Sequence, residues 1–362
     1  MLKNSLRGLI AIAAISLSSY LYQALIIARL APGEYSLVMV GMGSFLMTTA
    51  IGSGVEILVV LRNARLSPPA LGGLMALSGL VSSALAAAGL LPLGVPPAVI
   101  LAAGASAALS ISLNSALGLA QAGGHWSRFI AMALLYSGAK VAFALVCYDP
   151  VFALLIPGLA AGLAAVPGLR LPAAHRLSLR DVLRMAVKMG PIPVLANLDL
   201  WLSSYWLGPA SAGYGVPALL GRPFYYVAAG LTPAARKAAA SGARPAKIAA
   251  LAGVPLLAAP LGLAVLVALR PYIPYPWGVF DLGLLGWAIV AQAAVGSLLL
   301  LLNGLGERLG WRWALPLVLL PLALLQPPLI QTTIALLAAV LLLGPRIRQH
   351  RTSPAGLARQ KA

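Results

Sequence analysis

Apolar stretches long enough to cross a bilayer recur along this chain with almost nothing between them. A spanning helix needs about 20 mainly apolar residues. Twelve stretches answer to that: 6–28, 35–61, 69–91, 97–121, 127–147, 150–168, 183–207, 212–235, 247–269, 279–303, 311–326 and 328–344. The last two are short and are divided only by Gln326-Pro327-Pro328. With 61% hydrophobic and 9% charged residues, the chain lacks the polar surface to cover a water-soluble globule of 362 residues. The expected fold class is an all-α polytopic membrane protein with about twelve transmembrane helices. The longest connection, 169–182, is too short for a folded soluble domain. Lys3 and Arg7 precede an apolar run without a small-residue cleavage site, so this run reads as the first retained span and not as a signal peptide.

A net charge of +18 would point to nucleic acid in a soluble protein, but here its distribution decides. If residue 1 is cytoplasmic, the connections on that side hold 21 of the 25 lysines and arginines. Five of them, Arg170, Arg176, Arg180, Arg184 and Lys188, lie in and just after the 169–182 linker. The opposite connections hold only Arg29 and Arg270. This positive-inside asymmetry predicts a multi-pass protein of the cell membrane with both termini cytoplasmic and no nucleic-acid partner. The basic tail 345–362 reads as a solvated flank.

The chain also repeats itself. Leu30-Ala31-Pro32 closes the first span and Leu207-Gly208-Pro209 the seventh, each followed by a tyrosine and a new apolar run. The offset is 177 residues, close to half the chain, and leaves six spans in each half. Six is even, so the halves enter the membrane in the same orientation, a parallel repeat of the kind transporters use with the substrate site between the halves. The expected domains are an N-terminal six-helix lobe (1–168), a cytoplasmic linker (169–182), a C-terminal six-helix lobe (183–344) and the tail (345–362).

Several chemistries find no support. No phosphate-binding Gly-x-x-x-x-Gly-Lys-Ser/Thr loop occurs. His125, His175 and His350 are far apart, and the one cysteine, Cys147, can form no intramolecular disulfide, so no metal, cofactor or enzymatic activity is expected.

The motifs Arg29-Leu30-Ala31-Pro32-Gly33-Glu34-Tyr35, Gly52-Ser53-Gly54-Val55-Glu56 and Asp199 followed by Leu207-Gly208-Pro209 and Gly213-Tyr214 resemble the polysaccharide-biosynthesis flippases. These belong to the multidrug/oligosaccharidyl-lipid/polysaccharide, MATE-like, exporter superfamily. Ser36 departs from the pattern, which usually has Gly after this tyrosine. The resemblance implies two lobes around a central cavity and transfer of a polyprenyl- or dolichyl-phosphate-linked glycan between leaflets. It also implies a functional association with glycosyltransferases, and the expected state is a monomer among membrane lipids.

Charge inside the apolar runs marks candidate site residues. Asp and Arg at the centre of a membrane helix cost about 2.5–3.5 kcal/mol each on insertion scales and usually face a bundle interior or a water-filled cavity. Asp199 and Arg222 sit in consecutive spans at similar expected depth, with Pro217 and Pro223 beside Arg222. Arg222 is the candidate contact for a lipid phosphate, because its planar fork suits phosphate oxygens. Asp199 is the candidate to hold or release it, and a purely structural Asp199/Arg222 pair is the competing reading. Lys140, in the fifth span, is a second candidate phosphate contact. Glu56 is expected to pair with Arg62, with gating as its alternative role. Tyr20 and Gln23 share a helical face with Ser16 and Ser19, and Asn114 lies between Ser110 and Gln121. These and Asn197 are candidates for sugar hydroxyls, with helix packing as the competing role.

Three functions therefore stand after the sequence: a lipid-linked oligosaccharide flippase working by alternating access, a MATE-type cation-coupled antiporter of drugs or organic cations, and a polytopic membrane enzyme of polyprenyl-phosphate glycan assembly. Arg222 and Lys140 weigh against the second, and the short outward loops against the third.

Overall fold

The computed structural model describes residues 2–94, 96–168, 170–173, 175–189, 191–212, a subset of 213–235, 245–269, 282–305 and 331–341. The chain divides into two compact units, Met1–Leu219 and Leu220–Ala362. The first contains α1 (Leu2–Arg29), α2 (Pro32–Arg62), α3 (Pro68–Leu90), α4 (Pro97–Ala122), α5 (Trp126–Ala144), α6 (Pro150–Ala165), α7 (Leu179–Met189) and α8 (Pro191–Leu207). The helical positions described among residues 211–235 are labelled α9. The second unit continues with α10 (Pro245–Leu269), α11 (Leu282–Leu305) and the helical stretch Gln331–Leu341. The expected span 311–326 lies outside the described residues.

Proline sets the rhythm of this layout. Pro32, Pro68, Pro97 and Pro150 each open a helix, where the missing N–H is not needed and the fixed φ is already helical. Capping adds to it: the Asp149 carboxylate accepts from the backbone N–H of Phe152 at 2.8 Å, and Ser67 accepts from Ala70. At the head of α2 the Glu34 carboxylate accepts from the N–H of Ala31 at 2.9 Å.

Burial runs opposite to that of a soluble globule. Leu80, Leu101, Leu257 and Val340 face outward, Leu257 at 81% exposure, while serines, Gln292, Lys140 and Asp199 lie inside. That inversion is what an apolar solvent selects, and four described helices, Pro32–Val60, Pro68–Leu93, Pro97–Ala122 and Lys247–Ala264, are long and apolar enough to cross a membrane. The protein is a helical membrane protein.

Between membrane helices the hydrophobic effect gives little, so close packing and hydrogen bonds hold them. Ser78 and Ser82 of α3 donate to the carbonyls of Ala107 and Ala103 of α4 at 3.3 and 3.1 Å. Gly158 of α6 lies so near Ser106 that a Cβ there would stand 2.5 Å from the serine Cα. In the second unit Phe224 packs with Ala259, Ile289 and Ala293.

Inside α6 stands Pro157. Proline removes one helical N–H and pushes the preceding turn apart, so carbonyls of that turn need other donors. Tyr22 of α1 donates its hydroxyl to the carbonyl of Ala153 at 2.7 Å. Ser106 of α4 donates to the carbonyl of Leu154 and accepts from the N–H of Gly158 at 3.2 Å. Three helices are thus tied together at the one place where α6 cannot satisfy itself.

The seventh span, expected over 183–207, is helical over Leu179–Met189 and Pro191–Leu207, both lying along α2, and residue 190 is outside the described residues. One detail differs from the sequence reading. The fold is not purely α-helical: β1 (Ala64–Leu66) and β2 (His175–Leu177) form a two-stranded parallel ladder that draws the linker to the end of α2. Next to it Arg62 pairs with Asp181 at 3.4 Å.

Candidate functional site

Within the first unit, α1 and α5 bring Lys140 against the polar stripe of α1. Lys140 is 2% exposed. Its ammonium donates to the Ser19 hydroxyl at 2.7 Å and stands 4.5 Å from the centre of the Tyr136 ring. Ser19 is held in turn by donating to the carbonyl of Ile15 at 2.8 Å. Among the described residues no carboxylate pairs with Lys140. The ammonium therefore has one hydroxyl and one aromatic face as partners, well short of a full counter-charge.

Asp199 lies in the middle of α8 at 1% exposure and accepts from the Tyr214 hydroxyl at 2.9 Å. Tyr214 is itself fully buried, with its ring edge-on to Trp206 at 5.9 Å. Arg222 is 3% exposed and belongs to the second unit, where the neighbouring Gly221 abuts the carbonyl of Ala288. Asp199 belongs to the first unit and Arg222 to the second, and both are buried.

The remaining candidates are occupied locally. Asn197 is buried and donates to the carbonyl of Pro193 at 2.8 Å. Asn114 donates to the carbonyl of Ser110 at 3.1 Å, and Ser110 to that of Ser106 at 2.8 Å. Such bonds to the preceding turn are how polar side chains are accommodated inside an apolar helix. Tyr20 is half-buried on α1. Gln23 walls a void between α1, α2 and α8, with Tyr22, Tyr35, Met39, Leu200 and Gly215 around it. Its volume of about 10 Å³ is room for a single water.

Glu56 corrects the sequence reading. Its expected partner was Arg62, but Gln121 of α4 donates to its carboxylate at 2.8 Å, while Arg62 is taken by Asp181. The reason is placement. Glu56 points into the α2–α4 seam, whereas Arg62 closes the last turn of α2 beside the linker. In the sequence Gln121 stands out only as part of a polar stripe, and Tyr214 only within the Gly213-Tyr214 motif. Nothing local marks either as a partner, because both bonds close across helices.

No protein-family model and no curated protein matches this sequence. Among solved structures, the chain is similar to an inward-facing conformation of a multidrug resistance MATE family transporter of the MOP superfamily. The TM-score is 0.58 at 14% identity, with 94% of this chain and 98% of that chain covered. The likeness establishes the fold across nearly the whole chain. As a fold, it agrees with the helical transporter architecture that the motifs implied.

Proposed function

We propose that the protein is a membrane transporter that moves a polyprenyl-phosphate-linked glycan from the cytoplasmic to the outer leaflet by alternating access. The observation that carries this reading is Lys140: a buried ammonium whose partners are a hydroxyl and an aromatic ring. Holding a cation in a low-dielectric interior without an anion is costly. A cargo with a phosphate or pyrophosphate head would supply the missing charge, and Ser19, Tyr20 and Gln23 on the adjoining face of α1 would meet the first sugar. Arg222, buried in the second unit, is a further candidate contact for a phosphate. Two parallel lobes, 1–168 and 183–344, joined by the 169–182 linker, would rock around the cargo. The inward-facing conformation of the structural neighbour supports such a cycle.

The topology proposed with it puts both termini in the cytoplasm of a cell-membrane protein, monomeric and acting beside the glycosyltransferases that build its cargo. A second reading has a specific observation behind it. The neighbour is a multidrug resistance transporter, and a carboxylate buried in α8, Asp199, is the group an organic cation would seek.

One experiment separates the two. The protein is reconstituted in liposomes with a fluorescent short-chain polyprenyl diphosphate glycan, and transfer between leaflets is followed by quenching from outside. Lys140→Met is expected to lower the rate about ten- to a hundredfold, the worth of a charge-assisted hydrogen bond, while Lys140→Arg retains most of it. Unchanged transfer in Lys140→Met overturns the phosphate role. Proton- or sodium-driven uptake of ethidium that depends on Asp199, with no glycan transfer by the wild type, establishes the antiporter instead.

A further inference from the structure

The short helix α7 presents a face that neither the packing nor the proposed transport cycle uses. Its inner side is fixed: Val182 and Ala186 enter the core of the first unit, where Gly54 lets the backbone of α2 approach Ala186. Its only acid is engaged on the flank. The Ser178 hydroxyl donates to Asp181 at 2.8 Å, and Arg62 pairs with the same carboxylate at 3.4 Å. What remains faces outward. Leu179, Arg180, Leu183, Arg184 and Val187 line an open recess of about 610 Å³ with no carboxylate in its wall. Both arginines are exposed, and so is Val187, at 79%.

Depth says what solvent this face meets. Pro32 opens α2, and Gly54, which abuts Ala186 of α7, lies 22 residues further along it, about 33 Å of helix rise and so the full thickness of a hydrocarbon core of about 30 Å. That places Val187 at the hydrocarbon boundary. Arg184 and Arg180 then lie one and two turns beyond it, in the layer of lipid phosphates. Spaced four apart, they are neighbours on one helix face at about 5–6 Å, close enough for two guanidinium forks to share one phosphodiester.

We infer that this face of α7 is a docking site for an anionic phospholipid of the adjacent leaflet. The phosphate lies between Arg180 and Arg184, and the acyl chains lie against Val187, Leu183 and Leu179. Charge complementarity and the apolar strip at the right depth together select the lipid: a soluble anion would leave Val187 in water, and a zwitterionic lipid would bring its own cation to the arginines. The exposed Arg170 and Arg176 in the preceding linker add to the attraction.

The test uses the full chain in nanodiscs, independently of transport. Protein is prepared in phosphatidylcholine with a graded fraction of phosphatidylglycerol, and retained phosphatidylglycerol is counted by native mass spectrometry. Wild type is expected to hold this lipid preferentially. Arg180→Gln/Arg184→Gln should weaken retention about thirtyfold, near a factor of five for each charge removed. Arg128→Gln, an exposed cation on α5, should leave it unchanged. Equal retention by the double variant, or an equal loss in Arg128→Gln, overturns the site in favour of diffuse surface charge. Displacement of bound phosphatidylglycerol by an equimolar short-chain polyprenyl diphosphate overturns the assignment to bulk phospholipid and gives the face to the cargo.

Discussion

Replacing Tyr22 with Phe removes one hydroxyl, and the structure ties the cost of that change to Pro157 in another helix. In the native protein the carbonyl of Ala153 has lost its intrahelical donor because Pro157 carries no N–H, and Tyr22 supplies the substitute at 2.7 Å. Tyr22→Phe keeps the ring and its packing but leaves a buried carbonyl unmet, which costs about 1–3 kcal/mol. In a Pro157→Ala background the new N–H reaches the same carbonyl, so the hydroxyl becomes redundant and its removal costs a few tenths of a kcal/mol at most. The difference, about 1–3 kcal/mol, is the coupling energy of the double-mutant cycle. Equilibrium unfolding by SDS in mixed micelles, run on the four proteins of the cycle, measures it. If Tyr22→Phe costs the same in both backgrounds to within about 0.5 kcal/mol, the hydroxyl does not stand in for the N–H that Pro157 lacks and the account of α6 is wrong.

Other expectations follow from single contacts. Tyr214→Phe takes the hydroxyl donor from the buried Asp199 and should lower stability in the same assay by about 1–3 kcal/mol, with Tyr205→Phe at the exposed end of α8 costing less. Asp181 titrates below the usual carboxylate range, first because the Ser178 hydroxyl donates to it and then because Arg62 lies beside it. A depressed folded value means stability present above the unfolded value of about 3.9 and lost as pH falls through the lower folded one. The stability gap between wild type and Asp181→Asn, about 0.2–1 kcal/mol for a pair this open to solvent, should therefore close on acidification. A gap that widens toward low pH refutes the assignment.

Much of this architecture is written in the order of apolar and proline residues. Hydropathy locates helices because a bilayer admits little else, and four of them open on a proline in the position that tolerates it. Lys140, Asp199 and Arg222 stand out as charges within apolar runs, and all three are buried. Their surroundings are less legible. The partner of Lys140 lies 121 residues away and that of Glu56 lies 65 away, and one sequence holds no information on which helix faces which. Arg62 was the near choice for Glu56, but helical phase sends the two side chains to different neighbours. The β1–β2 ladder is three residues long on each side, too short for an alternating pattern to emerge.

The way α8 is fastened to α3 has a bearing on which residues this protein can change. Trp201 donates its indole N–H to the carbonyl of Leu85 at 2.7 Å, and the hydroxyls of Ser204 and Tyr205 reach the carbonyls of Gly89 and Ala88. All the donors are side chains and all the acceptors are main chain. Substitution can erase a donor but not a carbonyl, so the burden of keeping this seam falls on one helix. Variation at Leu85 and Ala88 leaves it intact. Gly89 is the exception, since a Cβ there would stand 2.6 Å from the indole nitrogen. A saturation library over the two segments would therefore be lopsided, permissive along α3 except at that glycine and strict at three positions of α8.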